Sequence, residues 1–339
     1  MLLDAQLGGY ALAQVTAEAE RLERIGYDGL WSVETSSNPF LPLALAAQAT
    51  RRVQIGSNVA IAFARTPFVT ATVAWDLQKL SGGRLALGLG TSSKPHLEGR
   101  FSTESARPVG RIVDYIRCMR AIWDNFQHGT APDYEGEFYR FKLNVPLFNP
   151  GPIEHPRIPV YVAGTTPSMC RAAGAVADGF NVAPFHTAAY LRDVLRPAIE
   201  QGARKHGRSL GDVTISAPVM AVMGDTDEQM AAAETNVRRM IATYCTMPPY
   251  VGMLRHHGYD GLHEQMAALA AKGDAAGMIA AVPAELVRAV ALVGRPLALA
   301  PLLRERYQGL ADRVSLRYAV PGAASEPTWS AFVGAFKGA

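Results

Sequence analysis

The sequence predicts an α/β fold, a closed (β/α)8 TIM barrel, on three observations. Short apolar runs alternate with stretches of helical period, the alternation repeats eight times, and turn residues mark the joins. The candidate strands are residues 2–7, 29–34, 53–59, 84–90, 159–164, 179–184, 213–222 and 314–320. Eight strand–helix repeats with no second domain fit a closed barrel better than an open doubly wound sheet, the alternative on pattern alone. One domain over residues 1–339 is therefore expected, since barrels often exceed the usual domain size as single units.

The helical pieces follow from spacing. Residues 16–25 place Ala19, Leu22 and Ile25 on one face, ahead of the Gly26-Tyr27-Asp28-Gly29 turn. Residues 67–80 open with a proline suited to a first turn, repeat Val69, Val73, Leu77 and Leu80, and stop at Ser81-Gly82-Gly83. Residues 109–126 and 189–206 are longer versions.

Two stretches break the rhythm and read as insertions after strands four and seven. Residues 128–157 are rich in Pro, Gly and aromatics, including Tyr134, Phe138, Tyr139, Phe141 and Phe148. Residues 226–295 are too long for one crossover helix and are interrupted at Met247-Pro248-Pro249, which places the insertion itself near 245–282. Both are expected at the active-site end, where loops enlarge easily, and Tyr134 to Phe148 would serve as a lid or substrate wall. A hairpin covering the barrel wall is the plainer expectation for the first.

Composition excludes several function classes. The net charge of +3 is small and spread, and no basic run with interleaved aromatics marks a nucleic-acid surface. Cys118, Cys170 and Cys245 are odd in number and widely spaced, which fits a reducing cytoplasm. No basic segment leads into a long apolar one, so neither a signal peptide nor a membrane span is expected. His256 and His257 are adjacent, so neither a helix nor a strand aims both at one metal, and no metal-binding motif occurs. Gly88-Leu89-Gly90 lacks the third glycine and acidic partner of a dinucleotide fingerprint, and no Gly-x-Ser-x-Gly elbow suggests a hydrolase. Glycines at 88 and 90 let a planar ligand approach the backbone, or else serve tight packing.

Three strings together resemble the bacterial-luciferase-like family of flavin and deazaflavin oxidoreductases. They are residues 23–34 (Glu-Arg-Ile-Gly-Tyr-Asp-Gly-Leu-Trp-Ser-Val-Glu), residues 55–59 with Arg65-Thr66-Pro67 and Gly88-Leu89-Gly90, and residues 159–167 with 171–174 and 177–179. The match runs over nearly the whole chain, and its nearest look is to actinobacterial members that use the deazaflavin coenzyme F420. The resemblance implies a cytoplasmic F420-dependent oxidoreductase moving a hydride to or from a small organic substrate. The alternatives are an FMN-dependent monooxygenase and a non-catalytic flavin-binding protein.

The same resemblance implies where the coenzyme lies. Asn58-Val59 falls where such proteins often carry a non-proline cis peptide against the ring. Gly164, Thr165, Thr166, Ser168 and Met169 fall where a loop and helix start approach the ribityl-phosphate arm, with Thr165-Thr166 replacing a usual glycine pair. Thr91, Ser92 and Lys94 follow strand four and are counted with the cofactor, and Arg100 would offset its charge. Some members have an Asp-His pair after strand two and a Glu after strand four. Glu34, Thr35 and Ser93 stand there instead, so the familiar acid–base set is absent.

His96 is the expected replacement, a group able to pass a proton near neutral pH, with Glu34 as helper. Arg65 would face an anion or brace the Thr66-Pro67 turn. Family members often dimerise through early helices, so a homodimer is expected, with Phe68 and Trp75 of residues 67–80 at its contact.

Overall fold

The computed structural model describes residues 1–7, 11–317 and 326–338. Eight parallel strands close a ring in chain order: β1 (Leu2–Gln6), β2 (Gly29–Ser32), β3 (Gln54–Ser57), β4 (Leu85–Gly90), β5 (Val160–Gly164), β6 (Gly179–Val182), β7 (Thr214–Met223) and β8 (Arg313–Arg317). β8 pairs back onto β1, Leu2 opposite Arg313, which completes the barrel. All eight expected strands are present. Residues 318–320 of the last one lie outside the described residues.

One device recurs at the amino end of three even strands. Asp28, Asp178 and Asp312 immediately precede β2, β6 and β8. Each carboxylate accepts the N–H of a residue in the preceding strand: Leu3 at 2.8 Å, Val160 at 2.9 Å and Ile215 at 2.7 Å. Each aspartate's own N–H returns a bond to that same residue's carbonyl, at 2.8–2.9 Å. Its carbonyl then accepts from Gln54, Thr214 or Leu2 in the following strand. Backbone groups at strand starts lack ladder partners, and these side chains supply them.

Strand alternation sends Leu3, Leu30, Ile55, Leu87, Val162, Phe180 and Val314 outward against the helices. The lumen is polar and small instead of branched and apolar. Arg313 donates to both oxygens of buried Asp4 at 2.8 and 2.6 Å, and Trp31 Nε1 donates to Asp4 at 2.8 Å. Trp31 packs on Tyr161, ring centroids 5.7 Å apart, and together these four side chains plug the lower barrel.

The Pro67–Leu80 helix has the predicted bounds but not the predicted face. Its buried residues include Thr70, Ala71, Ala74, Trp75, Leu77 and Gln78, while Val69 and Leu80 are exposed. Neighbours on both flanks select small residues for close approach and turn the helix away from its apolar spacing. Trp75 donates to the Gly151 carbonyl, and Phe68 packs edge-on to Phe126 and against Phe141. Trp75 is buried and therefore closed to a dimer contact, while Phe68 keeps part of its surface exposed.

The two insertions differ. The first leaves the lower end of the Pro108–His128 helix, so it starts from the amino side of the barrel. Its hairpin, Tyr134–Glu135 paired with Arg140–Phe141, climbs that helix. Asp114 holds it by accepting from the N–H groups of Phe138 and Tyr139 at 2.6 and 3.0 Å and from the Tyr134 hydroxyl. Tyr134 to Phe141 therefore clad the wall and form no lid; Leu147 and Phe148 lie exposed beyond them.

The second insertion does sit at the carboxyl end. After the Asp227–Cys245 helix, short helices return the chain as Ala291–Gly294, parallel to the upper half of β7. Tyr244 and Tyr250 pack on Phe185 of the loop after β6. Among the described residues no helix is long and apolar enough to cross a membrane.

Candidate active site at the carboxyl end of the barrel

The β3–β4 ladder breaks where the expected ring site begins. Gly56 pairs with Ala86, and pairing resumes with Ala60 opposite Leu89, so β3 carries one extra residue. Ser57 fills the gap: its hydroxyl donates to the Gly88 carbonyl at 2.8 Å and accepts the Gly88 N–H at 3.1 Å. The Asn58-Val59 bond within this bulge is cis. Ser57 to Val59 form a shelf at the barrel mouth.

The strand-four glycines serve that shelf. A Cβ on Gly88 would stand 1.9 Å from the Ser57 carbonyl oxygen, and one on Gly90 would stand 2.6 Å from Val59 Cγ2. Of the two readings of these glycines, tight packing is the one seen.

Glu34 clamps the shelf from the end of β2. Its N–H donates to the Val59 carbonyl at 3.2 Å, and its carboxylate accepts the Ile61 N–H at 2.7 Å. The same carboxylate takes two bonds from Arg65, at 2.8 and 2.7 Å, while the guanidinium lies over the Phe40 ring. With the Glu34 side chain 6% exposed and both oxygens committed, no lone pair is aimed at a substrate. The expected acid–base helper is therefore a structural clamp in this geometry, and Arg65 is its partner.

Beyond β4 come Thr91 and Ser92, the latter at φ 60, a left-handed conformation uncommon outside glycine. The Lys94–Arg100 helix follows, with Lys94 and His96 exposed and Leu97 buried beneath them. Arg100 donates to the Thr35 carbonyl at 2.6 Å, joining this loop to the one after β2. His96 makes no hydrogen bond through its ring to another described residue.

At the end of β5, Thr166 caps the Pro167–Val176 helix by accepting the Met169 N–H at 3.4 Å, and its hydroxyl meets Ser168 Oγ at 3.1 Å. Met169 turns inward over Gly164, where a Cβ would stand 2.5 Å from Met169 Cγ. Its side chain and N–H are thus both engaged, which leaves Thr165 as the open hydroxyl of that loop, beside the exposed Ser168 already paired with Thr166. Free space beside Gly164 and Thr165, under Phe185, Tyr190 and Tyr250, is about 10 Å³, room for one water at most.

Residues not singled out in the sequence also line the lumen beneath the mouth. Arg317 donates to Gln6 Oε1 at 2.9 Å, and Asn181 stands fully buried in the lumen above the plug. Their signal was polar residues at alternate strand positions: Asp4 and Gln6, Arg313, Ser315 and Arg317. His186, in the loop after β6, contacts the Ala183 carbonyl through Nδ1 at 2.8 Å and the Tyr307 hydroxyl through Nε2 at 3.0 Å. Burial lowers it to about 4, so the ring is neutral. His257 bonds Thr187 and His256 approaches Asp193, while the two rings meet edge-on with centroids 5.0 Å apart.

A hollow of about 1280 Å³ opens at the opposite end among Arg120, Arg157, Asp178, Asp212 and Asp312. It lies below the Asp4–Arg313 plug, at the end of a barrel where residues ordinarily serve stability. The carboxyl end is the better candidate.

The model of the luciferase-like monooxygenase family matches residues 3–313. The chain belongs to this family. An uncharacterized protein of Mycobacterium tuberculosis is 41% identical over 303 residues, covering 89% of each chain. A putative coenzyme F420-dependent oxidoreductase of the same organism is 28% identical over 318 residues, 87% of this chain and 88% of the relative. The solved coenzyme F420-dependent tetrahydromethanopterin reductase from Methanopyrus kandleri superposes with a TM-score of 0.75 at 22% identity, covering 98% of this chain and 96% of that one. That likeness shows the fold. In this luciferase-like barrel the β3 bulge, its Glu34 clamp and the Thr165 loop stand together at the carboxyl rim.

Proposed function

We propose that the protein is a coenzyme F420-dependent oxidoreductase acting on a small organic molecule. The observation that carries this is the donor set at the rim. Thr91, Ser92, Thr165 and Ser168 offer hydroxyls and Lys94 a cation around a shelf left open by the broken β3–β4 ladder. Such a set fits a polyol-phosphate arm and a flat ring, and the F420-dependent name of a relative aligned over most of the chain supports the choice of coenzyme.

A bound deazaflavin would supply or accept a hydride. The chain's own part is to hold the ring against Ser57–Val59, to orient the substrate beside it, and to manage the proton. The Glu34–Arg65 clamp fixes the shelf without entering the chemistry. His96, exposed on the loop after β4, is the proposed proton donor at its ring nitrogen. Asn58 and Val59 border the ring, and Gly164, Thr166 and Met169 shape the arm's loop through packing and capping.

An FMN-dependent monooxygenase is the second reading, favoured by the family's description. Anaerobic mixing with reduced F420 and a panel of carbonyl and alkene substrates separates the two. Reoxidation without oxygen supports the proposal, whereas turnover that requires FMN and oxygen defeats it. Pairing with a second copy stays part of this reading and is tested by sedimentation equilibrium.

A further inference from the structure

Among the described residues, the buried side-chain atoms without a hydrogen-bond partner in the protein are Gln54 Oε1, Gln6 Nε2 and both amide atoms of Asn181. All belong to strand positions that face the lumen. Gln6 alternates with Asp4, Gln54 with Gly56 (where a Cβ would strike the Trp31 ring), and Asn181 with Gly179 (where one would strike the Tyr161 ring). Asn181 is the extreme case, with no exposed surface and neither amide atom paired. Buried amides are almost always satisfied, so a carboxamide left whole in this way points to a small polar guest.

The neighbourhood says where that guest sits. Asn181 Nδ2 and the Ser57 carbonyl oxygen lie 2.7 and 1.9 Å from the single point where a side chain on Gly88 would begin. The amide therefore reaches the underside of the shelf. Gly56 and Gly88 let Trp31 and the Ser57 backbone pack close at this level, and the Asp4–Arg313–Trp31–Tyr161 plug closes it from below.

We propose that Asn181 is a positioning residue whose carboxamide holds an enclosed water against the Ser57 carbonyl, fixing the shelf on which the coenzyme ring rests. This rests on the coenzyme reading above. Asn181 touches no substrate; it acts through the water and the Ser57–Val59 backbone.

Asn181→Leu keeps the volume and removes both unpaired atoms, so it should fold with an unchanged or higher melting temperature. Its F420 dissociation constant should nevertheless rise tenfold or more, and the spectrum of the bound coenzyme should move toward that of the free one. Asn181→Ser, which retains a hydroxyl and leaves room for a second water, should recover most of the affinity. An Asn181→Leu protein with the parent's affinity and spectrum overturns the proposal.

A high-resolution crystal structure of the ligand-free parent provides the second arm. A water within hydrogen-bond distance of both the Asn181 amide and the Ser57 oxygen is expected. A dry site, or protein partners for both amide atoms, overturns the proposal even if the Leu variant fails to fold. A parent protein that binds no coenzyme would overturn the functional reading alone, and the crystal arm would still decide the water.

Discussion

Glu34 and Arg65 form a two-bond ion pair at the end of β2, and the same carboxylate accepts the Ile61 N–H. Two strands and the turn before the Pro67–Leu80 helix thus meet on one side chain. Removing Arg65 leaves that carboxylate nearly buried without its cation. Arg65→Ala should cost about 3 kcal/mol of stability, measured by urea denaturation. Glu34→Gln, which keeps one acceptor oxygen, should cost less, yet should still weaken coenzyme binding because the shelf loosens.

The aspartates before β2, β6 and β8 predict a pure stability effect. Asp178→Ala leaves the Val160 N–H unpaired at the amino end, far from the rim. A loss of about 1–3 kcal/mol is expected, with coenzyme affinity unchanged.

His186 predicts a pH dependence. Burial lowers it to about 4, below the ordinary histidine value near 6.5, so the unfolded chain binds the extra proton first. Its contribution is fully present above pH 6.5 and is lost as pH falls toward 4, a change of about 3 kcal/mol. Urea midpoints at pH 7 and pH 4.5 should differ less in His186→Gln, which can still accept from Tyr307, than in the parent. Equal slopes would contradict this.

Burial pushes the thiols of Cys118, Cys170 and Cys245 up to about 12. The thiolate is the reactive form, so a thiol reagent at pH 8 should label none of the three in the folded protein and all three in denaturant.

His96→Ala tests the proton donor. Loss of a general acid is expected to lower kcat about a hundredfold, with coenzyme affinity unaltered. An unchanged kcat would remove His96 from the chemistry.

The barrel was legible because strand and helix periods alternate, and each of the eight strands lies where the runs of apolar residues put it. The faces were less so. Spacing marked Val69 and Leu80 as core, but tight neighbours chose Ala71 and Ala74 instead. The climb of the first hairpin along the barrel wall depends on Asp114, a residue with no local signal of that role. Motif matching named Glu34 for its place at a strand end, while its engagement with Arg65 is a contact across 31 positions of sequence. The polar lumen was written plainly at alternate positions of β1 and β8, and finding it required reading strand parity as inside against outside.

The central claim is that the carboxyl rim holds a deazaflavin. Fluorescence titration of purified protein with coenzyme F420, repeated with FMN, tests it most directly. The account predicts saturable one-to-one binding of F420, weakened by Thr165→Val and Ser92→Ala, with FMN unable to displace it. Tight FMN binding with no affinity for F420 would contradict it.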